Sequence, residues 1–336
     1  MSDIRSARST HRDTQAAADE LVAALAGHAP RAIAFFAAPH HDGRVLSHAL
    51  MRAFPDAAVI GCSTAGELTQ HASSTGSVTL VALGDGVVRR AACALARFGD
   101  GVDAGIRAAT ETLSRALDVD LRRADPERYV GVVLVEGLKM KEEAANAALG
   151  DVAPLLSFVG GSAGDDGLFV ETRVYCNGEV SDDGAALLLL DARVPFTISK
   201  TCSFEPKSRA LVATRVDVPN RVVHELDGRP VLEVYAELVG RRPGELDADV
   251  FMTHPLGLMI DGQPWIRSPQ RVLPDGGLKL YCQLLEGAEV HVMQSQDLIA
   301  ETRAEIAKVR ATLGGSLQGG LAFNCILRRL RRTRGP

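Results

Sequence analysis

The sequence predicts an α/β (α+β) protein, with duplicated mixed β-sheet units and covering helices in an N-terminal domain and a smaller α+β C-terminal domain. Three observations carry this. Segments with helical apolar spacing alternate with continuous apolar runs of strand length. The strand-like break Val59-Ile60-Gly61-Cys62-Ser63-Thr64-Ala65-Gly66-Glu67-Leu68 returns as Leu156-Ser157-Phe158-Val159-Gly160-Gly161-Ser162-Ala163-Gly164-Asp165, a recurrence that marks related halves. At 336 residues the chain exceeds the length, roughly 250–300 residues, at which single cores tend to split.

Taken in order, Met1 to Thr14 is a polar, frayed lead-in, and Ala16 to Ala26 is a helix before the buried strand Ala32 to Ala38. Gly43 to Phe54 places Val45, Leu46, Leu50 and Met51 on one helical face, and Pro55-Asp56 stops it before the strand Ala57 to Ile60. Ser77 to Leu83 and Val87 to Phe98 read as strands joined in a hairpin by Gly84-Asp85-Gly86, and the helix Ala104 to Leu117 closes the half. Tyr129 to Val135, Lys141 to Leu149 and Leu155 to Val159 then repeat strand, helix and strand. Glu171 to Tyr175 and Gly184 to Leu190 follow as antiparallel strands separated by Cys176-Asn177-Gly178. The two small-residue turns are expected to wall a shared cleft.

After Pro219-Asn220 the character changes. Val222 to Leu226 is a strand, Pro230 to Val239 a helix, and Gly257 to Ile260, Trp265 to Arg267, Leu278 to Leu284 and Ala288 to Met293 are short strands before the helix Leu298 to Leu313. The expected boundaries are a lead-in and helix over 1–28, an N-terminal domain over 29–220 with halves near 29–120 and 121–220, a C-terminal domain over 221–330, and a basic tail over 331–336.

Composition narrows the function. A net charge of −5 offers no basic field for nucleic acid, and Arg328, Arg329, Arg331, Arg332 and Arg334 read as a local, solvated cluster. The six cysteines lack Cys-x-x-Cys spacing and no apolar signal segment follows the start, which points to reduced thiols and a cytoplasmic location. Runs such as Gly184 to Leu190 fall far short of the roughly 18 residues of a membrane span.

Gly160-Gly161-Ser162-Ala163-Gly164 matches the spacing of a nucleophile elbow, with His224, His254 and His291 downstream as bases. Asp165-Asp166-Gly167 reads as loop where an elbow needs a helix, so a ligand-facing turn competes with a serine hydrolase. Cys62 is either a nucleophile activated by turn amides or a buried small hydrophobe. Walker and Gly-x-Gly-x-x-Gly phosphate loops are missing, and no histidines pair at zinc spacing. His40-His41-Asp42 reads as an exposed polar turn. His254, set among Phe251, Met252, Pro255, Leu256 and Met259, reads either as a core or turn histidine or as an axial ligand to haem iron.

Both turn sequences resemble signatures of the FIST N-terminal sensory domain, and Val222-Val223-His224-Glu225-Leu226-Asp227-Gly228-Arg229-Pro230 opens a segment similar to the FIST C-terminal domain. Tyr235-Ala236-Glu237-Leu238-Val239-Gly240, Arg267-Ser268-Pro269-Gln270, Asp275 to Cys282 and Cys325-Ile326-Leu327-Arg328-Arg329-Leu330 look most like the nitric-oxide-sensing branch. The resemblance implies a non-enzymatic cytoplasmic sensor that binds haem through histidine and, on binding nitric oxide, alters a partner histidine kinase or cyclic-di-GMP enzyme. It also admits a haem-free sensor of a small metabolite such as an amino acid. Carried onto this chain, His254 is the iron ligand with Met252, Pro255 and Arg267 beside it. The cleft residues are Gly61, Cys62, Ser63, Thr64, Gly66, Gly160, Gly161, Ser162 and Gly164. No catalytic residue, nucleic acid or membrane is implied, and a homo-oligomer is compatible. Family members continue beyond the Cys-Ile-Leu-Arg segment, so the C-terminal domain is expected to be shortened.

Overall fold

Alternate side chains of each central strand enter different cores, and that alternation sets the layers of the N-terminal unit. The computed structural model describes residues 3–315 and 317–333. Its two units are the described residues through Ile198 with Leu313–Ile326, and Ser199–Thr312 with the residues from Leu327 onward.

The first unit is built twice from one series of elements. The first copy runs β1 (Ile4–Ser9), α1 (Thr14–Ala24), β2 (Pro30–Ala37), α2 (Gly43–Ala53), β3 (Ala58–Ser63), the short pair β4 (Glu67–Leu68) and β5 (Ser73–Ser74), and β6 (Val78–Gly84). The second runs β7 (Val88–Arg97), α3 (Val102–Leu117), β8 (Tyr129–Val135), α4 (Glu142–Val152), β9 (Phe158–Ser162), the short pair β10 (Val174–Cys176) and β11 (Glu179–Ser181), and β12 (Gly184–Ala192). In each copy a helix crosses between two parallel strands, β2 with β3 and β8 with β9. The sheets are ordered β1-β6-β2-β3-β10-β11 and β7-β12-β8-β9. The second copy's hairpin therefore completes the first copy's sheet.

Ile33, Phe35 and Val59 face Leu21, Leu46 and Leu50 of α1 and α2. Val133, Val135, Leu187 and Leu189 face Ile106, Leu113 and Leu149, on α3 and α4. The intervening residues Ala32, Ala34, Ile60, Val132, Leu134, Ala186 and Leu188 share a third core between the sheets. The result is four layers, helices outside and sheets within, which explains why the strands are continuous apolar runs. Leu321 and Phe323, from the returning segment, pack at the edge of the inter-sheet core, with Phe323 edge-on to Phe36.

The second unit carries β13 (Phe204–Pro206), β14 (Leu211–Asp217), β15 (Val222–Leu226), β16 (Arg229–Pro230), α5 (Val231–Val239), α6 (Ala248–Thr253), β17 (Leu256–Ile260), β18 (Gln263–Arg267), β19 (Pro269–Val272), β20 (Leu278–Leu280), β21 (Glu289–Ser295), α7 (Leu298–Thr312) and α8 (Ile326–Thr333). Its strands form an antiparallel nine-stranded sheet whose spine is β18-β17-β21-β14-β15-β20-β19. Tyr235, Phe251, Leu256 and Val292 centre its core. No helix among the described residues is long and apolar enough to cross a membrane.

Several expectations are corrected. The N-terminal lead-in contains a strand, because β1 pairs with β6 along its whole length. Gly84-Asp85-Gly86 is not a hairpin: β6 pairs with β1 and β2, β7 pairs with β12, and the chain passes there from one sheet to the other. The copies thus meet between β6 and β7, and α3 belongs to the second. The Asn177-Gly178 turn, with both φ positive at 44° and 82°, joins β10 to β11 rather than to β12. The second unit begins ahead of residue 220, since β14 pairs with β15 and β21. The arginine cluster is not simply solvated. Arg328 donates to the Thr201 and Thr302 hydroxyls, and Arg331 donates to the Ser203 hydroxyl and the Gln296 carbonyl while stacking over Phe204. Arg334 lies outside the described residues.

Gly61 lies under the Phe35 ring, and an added Cβ would stand 2.4 Å from its carbons. Gly61→Val should therefore destabilise the protein by about 2–3 kcal/mol through overpacking, read as a lowered midpoint in urea unfolding.

Candidate functional site

The two turns leave equivalent strand ends. The Thr64 amide donates to the Ala37 carbonyl at 3.0 Å, and the Ala163 amide donates to the Val135 carbonyl at 2.7 Å. The same chain exit is thus made at the carboxyl ends of both parallel strand pairs, where open α/β sheets place their ligands. The turns also bind each other, with the Gly164 amide donating to the Ser63 carbonyl at 2.9 Å and the Asp166 amide to the Thr64 carbonyl at 3.2 Å. A Cβ on Gly164 would lie 2.9 Å from the Ala65 amide nitrogen, so the backbones approach as closely as glycine allows.

Three buried carboxylates hold the loops that leave these strand ends. Glu67 accepts from the Thr64 hydroxyl at 2.5 Å and from the Ser77 amide and hydroxyl. Glu136 accepts from the Leu138 and Lys139 amides and the Thr172 hydroxyl. Asp165 accepts from the amides of Phe169, Val170 and Glu171, clamping a loop that holds Leu168, Phe169 and Val170 out toward solvent. Each carboxylate meets several donors, which is what makes burial tolerable.

Beside the turns lie two open cavities. One, of about 180 Å³, is lined by Pro39, Ser63, Asp165, Leu168 and Val170. The other, of about 450 Å³, is lined by Asp42, Arg44, Arg97, Val180, Ser181 and Asp182. Glu171, Arg173 and Tyr175 line both. Burial raises the Tyr175 phenol above its ordinary value, so it stays protonated at neutral pH.

Of the expected cleft residues, Ser63 alone lines either of these cavities. Gly61 and Cys62 lie within β3, and burial pushes the Cys62 thiol up to about 12, the state of a packing residue rather than a nucleophile. Thr64 holds Glu67, while Gly66 takes φ of 141°. Gly160 sits over the Val133 carbonyl, and Gly161 meets the Phe323 ring. Ser162 is exposed and donates to the Glu142 carboxylate at 3.0 Å; the next residues turn into the Asp165 loop, not into a helix. The residues missed by sequence reading are the charged ones, Asp42, Arg44, Arg97, Glu171 and Arg173. Their only signal was the pair of opposite charges at Glu171 and Arg173, two residues apart just ahead of a strand.

His41 is not in an exposed turn. It is buried at 4 % exposure, its ring lies against His40, and Nδ1 is within 3.3 Å of the Thr14 hydroxyl. Among the described residues Nε2 has no partner. No group of His, Cys, Asp and Glu among the described residues could hold a metal ion.

The FIST N domain matches residues 31–229 and the FIST C domain matches residues 232–334. The chain belongs to the FIST family. FIST domains are sensory signal-transduction domains that bind small ligands. The chain is also similar to an uncharacterized protein of Methanocaldococcus jannaschii, 24% identical over 153 residues, which are 42% of this chain and 30% of that protein. It therefore spans less than a third of that relative's length.

In the FIST C region His254 ends α6. Its backbone carbonyl accepts from the Tyr235 hydroxyl at 2.6 Å and its Nδ1 lies 3.0 Å from the Thr253 hydroxyl. Burial, then Lys207 and Arg241, lowers its pKa, so the imidazole is neutral at pH 7 and chemically suited to bind iron. Its neighbours are packed for other work. Met252 and Pro255 are buried, and the Arg267 guanidinium donates to the Gln283 and Ile266 carbonyls. The imidazole is a donor of the kind haem iron takes, while these neighbours are buried or engaged with backbone carbonyls.

His41 yields a pH prediction. Burial and His40 lower its pKa to about 4, against the raising effect of Asp13. The unfolded chain binds the proton first, so this stability is complete above about pH 6.5 and is lost as pH falls toward 4, by about 3 kcal/mol. His41→Gln should flatten the fall in urea midpoint between pH 6.5 and 4 relative to the parent protein.

Proposed function

We propose that this FIST protein is a small-ligand sensor whose ligand binds in the N-terminal unit beside the joined turns, acting through binding rather than turnover. The observation that supports it is the direct hydrogen bonding of the two turns next to an open, charged cleft at the carboxyl ends of two parallel strand pairs. A ligand touching Ser63 and the Asp165 loop would act on both copies of the repeat at once. The signal would pass to another protein, a histidine kinase or cyclic-di-GMP enzyme in the cytoplasm.

A thermal-shift screen of small metabolites tests this, because a ligand bound only by the folded state raises the apparent melting temperature. A hit should raise Tm by several degrees, be recovered unchanged, and lose its effect in Val170→Arg, which fills the small cavity from an exposed position. A screen without hits, or hits indifferent to Val170→Arg, would sink the cleft assignment.

Haem-based nitric oxide sensing is the second reading, and the neutral, half-buried His254 imidazole supports it. The protein mixed with hemin should then show a Soret band that shifts in His254→Ala; absence of the band removes this reading.

A further inference from the structure

Arg173 and Glu171 stand on the wall common to both cavities. Arg173 donates to one carboxylate oxygen of Glu171 through Nε at 2.9 Å and Nη2 at 2.7 Å. Both side chains are about half exposed, 46% and 50%. Such an exposed pair contributes little net stability, so a competing carboxylate displaces it at small cost. The pair is also local, two residues apart on one chain segment, and the Glu171 backbone is fixed separately by the Asp165 carboxylate. Its side chain can leave Arg173 without unfolding the loop.

Arg44 faces the larger cavity from the first turn of α2 and has no ion-pair partner among the described residues. Arg97 is held by Glu179 at 2.7 Å. The cavity thus contains one guanidinium without a carboxylate and one whose carboxylate is exchangeable. The buried Tyr175 lines both cavities beside Arg173. An arginine fork of this kind recognises planar carboxylates.

We infer that the cleft takes a small organic carboxylate, whose anionic group replaces Glu171 on Arg173 and joins the two cavities by removing their common wall. This rests on the ligand-cleft reading above and assigns the class of ligand. Glu171 is the internal stand-in for that group: it keeps Arg173 neutralised in the empty cleft, and it lowers the apparent affinity because every ligand must displace it. Leu168 and Val170, held by the same Asp165 clamp, then cover the apolar part of the molecule.

Titration calorimetry on the full chain tests this with a panel of small mono- and dicarboxylates, succinate and pyruvate among them, each paired with its neutral amide. At least one acid should bind where its amide does not. Glu171→Gln, which leaves Arg173 without its competitor, should tighten that acid roughly tenfold, and Arg173→Gln should abolish binding, while Arg173→Lys restores part of it. An acid that binds equally well to Glu171→Gln and the parent overturns the displacement. A ligand that fills the cleft and is blocked by Val170→Arg yet is indifferent to Arg173→Gln overturns the carboxylate assignment and leaves the sensory reading intact. A panel in which no acid binds Glu171→Gln also overturns it.

Discussion

The close approach of two backbones, Gly164 to Ser63 and Asp166 to Thr64, is the constraint on which the N-terminal unit depends. It exists because two copies of one supersecondary series end their parallel strands side by side. Glycine at 164 is required by the 2.9 Å gap to the neighbouring amide. Once the strand ends are joined, their loops must leave in restricted directions, and Glu67, Glu136 and Asp165 supply acceptors for the amides those loops expose. Small residues bring the backbones together, and the longer side chains of Arg44, Glu171, Arg173 and Tyr175 line the open space beside the junction.

The duplication also explains why hydrophobic and charged residues are distributed as they are. Each sheet is covered on one face by helices and on the other by its twin, so its central strands are apolar on both faces. Charge is left to strand ends and edges. At the end of β12 Asp191 is buried and held by a bidentate Arg128, with Arg89 and Arg90 close by, which keeps its carboxyl below the ordinary range. The cleft opens beside the edge formed by β10 and β11, lined by charged residues from the adjoining segments, among them Arg97, Glu171, Arg173 and Asp182.

How far the sequence revealed this depended on the range of each interaction. β2, β8, β15 and α2 were legible because their periodicity is contained in their own residues. β1 was not, since Ile4-Arg5-Ser6-Ala7-Arg8-Ser9 is polar at four of its six positions, without strand alternation, and becomes a strand only against β6. The turn chemistry of Gly84-Asp85-Gly86 is the same whether the next strand folds back or crosses to a second sheet, so the hairpin expectation had no local signal to correct it. In the candidate site the glycines announced a close approach, which is present, but they line the junction and not the space beside it. Glu171 and Arg173 look like ordinary surface charges until β10 is placed against β3.

The segment Leu313–Ile326 belongs to the first unit, although α7 precedes it and most of α8 follows it in the second. The backbone therefore passes between the units three times, at 198/199, 312/313 and 326/327. Phe323, near the end of the chain, fills a position against Phe36, from the first parallel strand pair. The inter-sheet core of the first unit therefore draws on two stretches of sequence separated by the strands of the second, so a fragment ending at Ile198 would lack the Leu321 and Phe323 contacts.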